Sequence, residues 1–475
     1  MKKVIIIGAG VTGLSAGIHA LLKGHEVSIY EKNNFCGGCC GGWYKDNFYI
    51  DNCMHWLTGT NQHTKTFKLW KKLGAMDETS NLYQGQYFYK SSFEGNTIEL
   101  SINTEKVRND MIRLSPEDRK EIDKFINTVN YFIKINKKDN LFNNIYNSTN
   151  GYTKGYFKYH KLSLSDLSNK FKHPLLKKVF TDYLPGCYSA LTLIYAYATF
   201  ASGNGKIFSD GSLIFSKNIE KKFISLGGVI HYNSEVTKIN IENNKFTSIC
   251  VNDKIIRGDI VISCIDPFYL FDNLLDNSYM PKDLKEKRAY KNDNPIISSY
   301  QCAFLIDKNK LNFKDTLVFE IPTIQVGLSS INRLLLKEYS YLNPNSDKVI
   351  IQSFIIQDIK DYDYWLQLKN TNLTDYNSLK QNIGLKIQDI LIDNNYNLRN
   401  SISLLDTWTP VTYNTYFNSF YGSYMGFVFK KKKGIKKLSP KINKIKNFFY
   451  LTYWQDIIGG LPVAAKLGSS IYKYL

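Results

Sequence analysis

Lys3 leads a β-branched run, Val4-Ile5-Ile6-Ile7, which stops at Gly8-Ala9-Gly10-Val11-Thr12-Gly13. Such a run is what a central parallel strand, buried on both faces, requires. Leu14 to Lys23 is helical in character, Gly24 ends it, and His25 to Tyr30 supplies a second strand that closes on Glu31. Each residue type has a mechanical task. Gly8 permits a tight turn, Gly10 lets backbone approach a pyrophosphate, and Gly13 allows helix to pack closely on strand. The helix amino terminus, which includes Thr12, then offers unpaired N–H groups and a positive dipole end to phosphates. Glu31 stands eighteen residues beyond Gly13, where a carboxylate can accept from both ribose hydroxyls of an adenosine and repel a 2′-phosphate. Strand, glycines, helix, strand and acid in this order predict a dinucleotide site that disfavours NADP; the spacing alone leaves FAD and NAD open.

The chain has 475 residues, too many for one compact core, so two domains or one interrupted domain is expected. Its net charge of +19 arises largely from lysine in a chain also rich in Asn and Ile, which is weak evidence for nucleic acid, and no nucleic-acid fold signature accompanies it. One cluster stands apart: Lys430, Lys431, Lys432, Lys433, Lys436, Lys437, Lys441, Lys444 and Lys446 have no acidic residue among them. It reads as a solvated loop, or as a patch for an anionic membrane surface. No run of about 18 apolar residues is present and no signal-peptide pattern leads the chain, so a cytoplasmic protein is expected, with its cysteines as thiols. Cys36, Cys39, Cys40, Cys53 and His55 have a zinc-like look, but the glycines between them are better explained by a cofactor, and no metal site is expected.

The residues after Glu31 choose between the two dinucleotides. Lys32 is succeeded by Gly37-Gly38, Gly41-Gly42, Tyr49-Ile50-Asp51 and Cys53-Met54-His55-Trp56. This resembles the second glycine pair of the amine-oxidase-like flavoproteins, specifically the phytoene desaturase branch. The resemblance implies FAD, with Gly37 and Gly38 along its pyrophosphate and the Met54–Trp56 segment against the isoalloxazine ring. Further matches recur along the chain. Leu226-Gly227-Gly228-Val229-Ile230 with Ser234-Glu235-Val236 is similar to the family's middle cofactor segment, in which Val236 would meet the adenine; Ile260 to Pro267 resembles its returning strand. Phe448 to Thr452, Trp454, Gly459-Gly460-Leu461-Pro462 and a helix from Val463 to Lys473 resemble the terminal flavin motif. Three departures stand out: Cys39 where a basic residue usually follows the first Gly-Gly pair, with Lys32 as a substitute; Thr452-Tyr453 where relatives carry glycine and an acid or amide; and a glycine triplet reduced to Ile458-Gly459-Gly460.

The fold class implied is α/β (α+β overall): a Rossmann-like FAD-binding domain with a parallel sheet, in segments 1–60, 211–267 and 441–475, interrupted by insertions 61–210 and 268–440 that form a mixed α/β substrate domain. Tyr188 to Ala201, nearly all apolar or small, reads as a buried helix or pocket wall. In flavin chemistry the protein mainly orients the donor carbon and excludes water. His55 and Trp56 on one side, Tyr453 and Trp454 on the other, are the candidates nearest the ring, with Tyr424 a further pocket residue. The family implies oxidation, saturation or isomerisation of a carotenoid-like or other long unsaturated lipid. An amine-oxidase-type flavoenzyme, or a peripheral flavin-binding module without catalysis, is the alternative.

Overall fold

The computed structural model describes residues 1–137, 159, 161–289, 295–428, 439–442, 444–455 and 460–475. Gly459, Ile458 and Lys430 to Lys437 therefore lie outside the described residues. Widely separated stretches of chain meet in one five-stranded, wholly parallel sheet, in the order Val229–His231, Glu26–Tyr30, Lys3–Ile7, Ile260–Ser263, Phe448–Tyr450. Val4 and Ile6 pack with the helix Val11–Leu21, whereas Ile5 and Ile7 pack with Val236, Ile239 and Phe246 of an antiparallel three-stranded meander. Alternate side chains of one strand thus serve two apolar layers, which is why the run reads as continuously hydrophobic.

The first helix begins at Val11, ahead of the expected Leu14, so Gly13 lies inside its first turn. Glycine is a poor helix former, but close contact with the strand outweighs propensity here. The helix Leu461–Ser470 lies alongside: Ser15 Oγ donates to Ala465 O at 2.7 Å, and a Cβ on Gly468 would sit 2.4 Å from Thr12 O. This helix also starts earlier than expected, because Pro462 occupies its first turn, where a missing N–H costs nothing.

A second sheet of seven strands runs Ile402–Trp408, Ser298–Asp307, Lys348–Gln357, Ser329–Glu338, Thr316–Val326, Tyr87–Phe93, Asn96–Ser101. Only the pairing of Thr316–Val326 with Tyr87–Phe93 is parallel. Helices Ile359–Thr371 and Leu373–Asn394 contribute Trp365 and Ile387 to one apolar cluster on this sheet, and Arg119–Lys137 and Ala190–Ala201 contribute Phe125 and Tyr197 to another. The expected mixed α/β architecture is what the chain adopts.

A hairpin bridges the two sheets' territories. Strands Gly42–Lys45 and Phe48–Asp51 are joined through Asp46 and Asn47, both at left-handed φ (47° and 66°), the two-residue turn that suits strand twist. The hairpin ends on Asp51, 2% exposed. Its Oδ1 accepts from the N–H of Cys53 (3.0 Å) and Met54 (3.2 Å) and from Ser212 Oγ (2.7 Å), and its Oδ2 from the N–H of Ser212 (2.7 Å). One carboxylate therefore shapes the turn into residues 53–56 and pins it to the start of the helix Gly211–Ser225. Asp51→Asn would turn an amide donor toward an N–H donor; a loss of about 1.5–3 kcal/mol per broken charge-assisted bond is expected, read as a lower urea midpoint.

Candidate functional site

The glycine turn is built by backbone that no side chain could share. Gly8 sits at φ +97°, and a Cβ on Gly13 would lie 2.0 Å from Gly8 O. Gly37 N–H donates to Ala9 O at 2.8 Å, and a Cβ on Gly38, at φ +59°, would meet Gly10 Cα at 3.4 Å. The two glycine pairs thus form opposing lips. Gly10 is the N-cap of the first helix and Gly460 that of the helix Leu461–Ser470, and neither makes a side-chain cap bond. Both helix ends open on one cavity of about 910 Å³, lined by Gly10, Val11 and Thr12 on one side and Gly460, Leu461 and Pro462 on the other. Two uncapped amino termini, each with free N–H groups and a positive dipole end, make a site for a ligand with two electron-rich parts.

At one end of this cavity stands Glu31, 8% exposed. Its Oε2 accepts from Ala9 N–H (2.8 Å) and its Oε1 from Asn33 N–H (2.9 Å) and Asn33 Nδ2 (3.1 Å), which aims the carboxylate and leaves Oε2 a lone pair for a hydroxyl. Val236, Ser234 and Glu235 line the same end. Lys32 departs from expectation. Its ammonium donates to Asn418 Oδ1 (2.7 Å) and Thr415 O (3.1 Å), so it closes this end instead of replacing a basic residue beside Gly38. Burial lowers its pKa, against the pull of Glu235 and Glu31.

Further along, Cys39, Met54, His55, Trp56, Tyr424 and Tyr453 all line the cavity. Trp454 does not, and the expectation that it flanks the reacting ring is corrected. Tyr453 and Trp454 sit in a 3-10 turn whose adjacent side chains part. Trp454 is 1% exposed, packs on Phe427 and Phe268 (ring centroids 4.7 and 5.2 Å), and donates Nε1–H to Asp266 Oδ2 at 2.9 Å. Tyr453 donates its hydroxyl to Ser423 O at 3.2 Å, so toward a ligand it can only accept. Asp266 also accepts from the N–H of Phe268 (2.9 Å) and Phe420 (3.0 Å); burial nonetheless raises its pKa to about 6.

Cys40 and Cys53 meet through a side-chain hydrogen bond, but the cysteines do not gather into a ligand set. Cys36 donates to Glu220 Oε2 (3.4 Å) and Cys40 to Ser212 O (3.7 Å). Burial, with Glu220, pushes the Cys36 thiol up to about 12, and burial also pushes the Cys39 thiol up. Among the described residues no group of three or more His, Cys, Asp or Glu could hold a metal ion.

A second arm of the cavity runs between the seven-stranded sheet and the helix Ala190–Ala201, whose Leu191, Thr192 and Tyr195 face it together with Tyr183, Leu335 and Phe354. The expected buried helix is thus also a pocket wall. Sequence reasoning missed Tyr183, which meets His55 Nδ1 at 3.2 Å, and Lys337, whose ammonium donates to His55 O at 3.0 Å. It also missed Gln301, whose Nε2 donates to Tyr413 OH (2.7 Å) and whose Oε1 has no partner among the described residues. These come from strands and turns remote in sequence, with no local signal. Asp266 did have one, since Asp-Pro marks a helix N-cap, and it caps the turn Pro267–Tyr269.

Burial first, and then the Lys337 charge, lower the His55 pKa to about 3. The unfolded chain takes up a proton at this histidine below about 6.5, while the folded chain does not until about 3. The contribution of His55 is therefore full above about 6.5 and lost as pH falls toward 3. Urea titrations from pH 7 downward should show wild type losing stability relative to His55→Phe across that window; parallel curves would contradict the buried neutral ring.

The chain matches the family of flavin containing amine oxidoreductases over residues 11–361. It is 22% identical to the 4,4'-diaponeurosporene oxygenase of Staphylococcus aureus, across 99% of this chain and 97% of that relative. Among solved structures it is similar to an oxidoreductase from Methanosarcina mazei, with a TM-score of 0.55 at 15% identity over 99% of each chain. Putrescine oxidase in complex with putrescine gives a TM-score of 0.62 at 12% identity over 100% of this chain and 98% of that one. At these identities the structural likeness is one of fold. The glycine lips, the aimed carboxylate of Glu31 and the two helix ends all suit FAD. Since the family match spans most of the chain, the protein belongs to the flavin containing amine oxidoreductases and is an FAD-dependent oxidoreductase.

Proposed function

We propose that this enzyme oxidises a long, unsaturated, apolar molecule of the carotenoid kind. The observation that carries the reading is the aromatic and aliphatic second arm, which is continuous with the cofactor end of the same cavity. The staphylococcal relative, a diaponeurosporene oxygenase, supports the substrate class. Bound FAD supplies the two-electron acceptor. The chain's residues do the rest. Gly8, Gly10, Thr12, Gly37 and Gly38 cradle the pyrophosphate, with Gly13 holding the helix close. Glu31 accepts from the adenosine ribose, Val236 meets the adenine, and Gly460, Leu461 and Pro462 direct a helix end at the flavin. Met54, His55, Trp56 and Tyr453 bound the space where the donor carbon lies, and exclude water from it.

An amine substrate would need a carboxylate or an aromatic cage in the second arm. Among the described residues, the carboxylates lining the cavity are Glu31, Asp182, Glu235 and Asp266. Glu31 and Glu235 flank the adenosine end, Asp266 is held by backbone donors, and Asp182 is paired to Arg333, whose Nε donates at 2.8 Å. None of these carboxylates stands free for an ammonium, so an amine would have only the aromatic lining of the arm to hold it.

We also infer a two-part organisation, with segments 1–60, 211–267 and 441–475 holding FAD and segments 61–210 and 268–440 enclosing the substrate. Among the described residues no helix is long and apolar enough to cross a membrane. Lys441, Lys444 and Lys446 are exposed and alternate with buried Ile442 and Ile445, and with the lysines before them they suit peripheral contact with an anionic bilayer that supplies the substrate. Co-sedimentation with anionic liposomes that fades as salt rises is expected; no co-sedimentation at low salt would contradict it.

The purified protein should show a flavin spectrum, and acid precipitation should leave the flavin in the supernatant, because burial pushes the Cys39 thiol at the cavity away from the thiolate. Anaerobic addition of an acyclic polyene should bleach that spectrum, whereas bleaching by alkylamines alone would favour amine oxidation. Glu31→Ala should weaken FAD binding roughly 10- to 150-fold, the range for losing a charge-assisted hydrogen bond, as measured by flavin fluorescence titration.

A further inference from the structure

We propose that His55 is the docking point for an oxygen atom carried by the substrate: its Nε2–H donates into the second arm, where a hydroxyl, aldehyde or carboxylate oxygen accepts it. The inference rests on the polyene reading of that arm and narrows the substrate, or the product retained in the site, to an oxygenated polyene.

The hydrogen-bond partners of the ring decide where its proton sits. Among the described residues, the His55 ring makes one hydrogen bond, between Nδ1 and Tyr183 OH at 3.2 Å. The Tyr183 hydroxyl has no other hydrogen-bond partner among the described residues, so its proton has a single acceptor, His55 Nδ1. With Tyr183 as the donor and Nδ1 as the acceptor, the arrangement the proposal takes, a neutral imidazole carries its proton on Nε2. Neutrality follows from the surroundings: the ring is enclosed by protein, being half-buried, and the Lys337 ammonium, bonded to the His55 carbonyl at 3.0 Å, disfavours a second positive charge. Nε2 has no protein partner among the described residues, nor does it belong to the polar atoms sealed off without one, and His55 lines the cavity. The donor thus opens on the substrate space.

Its direction is also fixed. Phe354 lies against the imidazole with ring centroids 4.5 Å apart. The Tyr183 ring stacks on Tyr89 at 5.1 Å and 13°. Asp182, the residue before Tyr183, is gripped by Arg333, which also donates to Ser92 O at 2.8 Å. A donor held from several sides reaches one point in the cavity. With hydrocarbon packed there, the N–H would be unpaired in an apolar wall of Trp56, Leu335 and Phe354, which is costly; an oxygen at that point removes the cost.

The test compares two ligands with the FAD-loaded, full-length protein: an acyclic polyene hydrocarbon and the same polyene ending in an aldehyde or alcohol. Binding is followed by quenching of tryptophan fluorescence. Wild type should bind the oxygenated molecule roughly 5- to 150-fold more tightly, the range for satisfying a buried donor. His55→Phe should abolish that preference by weakening the oxygenated ligand, and Tyr183→Phe, which keeps the ring stacked on Tyr89, should reduce it and carries the test if His55→Phe does not fold. Equal binding of both ligands by wild type, or a preference that survives His55→Phe, overturns the inference. So does a shifted flavin spectrum in His55→Phe with ligand preference intact, since the imidazole would then serve the cofactor. Binding of neither polyene would instead overturn the polyene reading itself.

Discussion

The first helix reaches the strand before it so closely that a Cβ on Gly13 would lie 2.0 Å from Gly8 O. Only hydrogen fits there, and the position of the whole cofactor end follows from that fit. Because the helix is drawn down onto the strand, its amino terminus opens beside Gly37 and Gly38 and not above them. The same device recurs where Gly468 meets Thr12 O, which brings the last helix of the chain alongside the first. Two helix dipoles then point at one cavity from chain segments that are nearly the full sequence apart. Each dipole would be of modest worth on an exposed surface, but in a partly enclosed site the effect is larger. The parallel sheet supplies the rigid floor on which such an arrangement can persist.

Much of this was legible in the sequence because it rests on local rules. The strand, the glycines, the helix and Glu31 succeed one another within a single unit, and the structure puts Gly8, Gly10, Thr12, Glu31, Gly37, Gly38, Val236, Gly460, Leu461 and Pro462 at one cavity. What was not legible depended on tertiary partners. Trp454 was expected near the ring because its neighbour Tyr453 is there, yet a buried indole N–H needs an acceptor, and Asp266 offers one on the other side of the turn. Lys32 was expected at a phosphate, yet a partly buried ammonium takes the nearest oxygens, those of Asn418 and Thr415, on a helix far along the chain. Tyr183, Lys337 and Arg333 carry no motif at all. They matter through what they touch, and contacts between strands so distant in sequence leave no periodicity to read.

The cavity also grades from charged to uncharged along its length. Glu31, Lys32 and Glu235 stand at the adenosine end, where a ligand brings hydroxyls and phosphates able to bond with them. Toward the second arm, burial suppresses ionisation: the Cys39 thiol is held protonated, His55 is held neutral, and the ion pair of Arg333 with Asp182 is saturated by its own partners. A fixed charge beside an apolar donor carbon would have to be desolvated at each turnover, at a cost that no hydrocarbon contact offsets. With few free charges in this zone, the redox chemistry would be left to bound FAD, toward which the helix end at Gly460 would present its positive dipole. Besides the Asp182–Arg333 ion pair and Lys161, the polar features of the second arm are neutral hydrogen-bonding groups such as His55 and Tyr183, and neutral directional groups select among apolar molecules by where an oxygen sits, not by net charge. That is the kind of discrimination an enzyme acting along a long polyene requires, since such molecules differ chiefly at their ends.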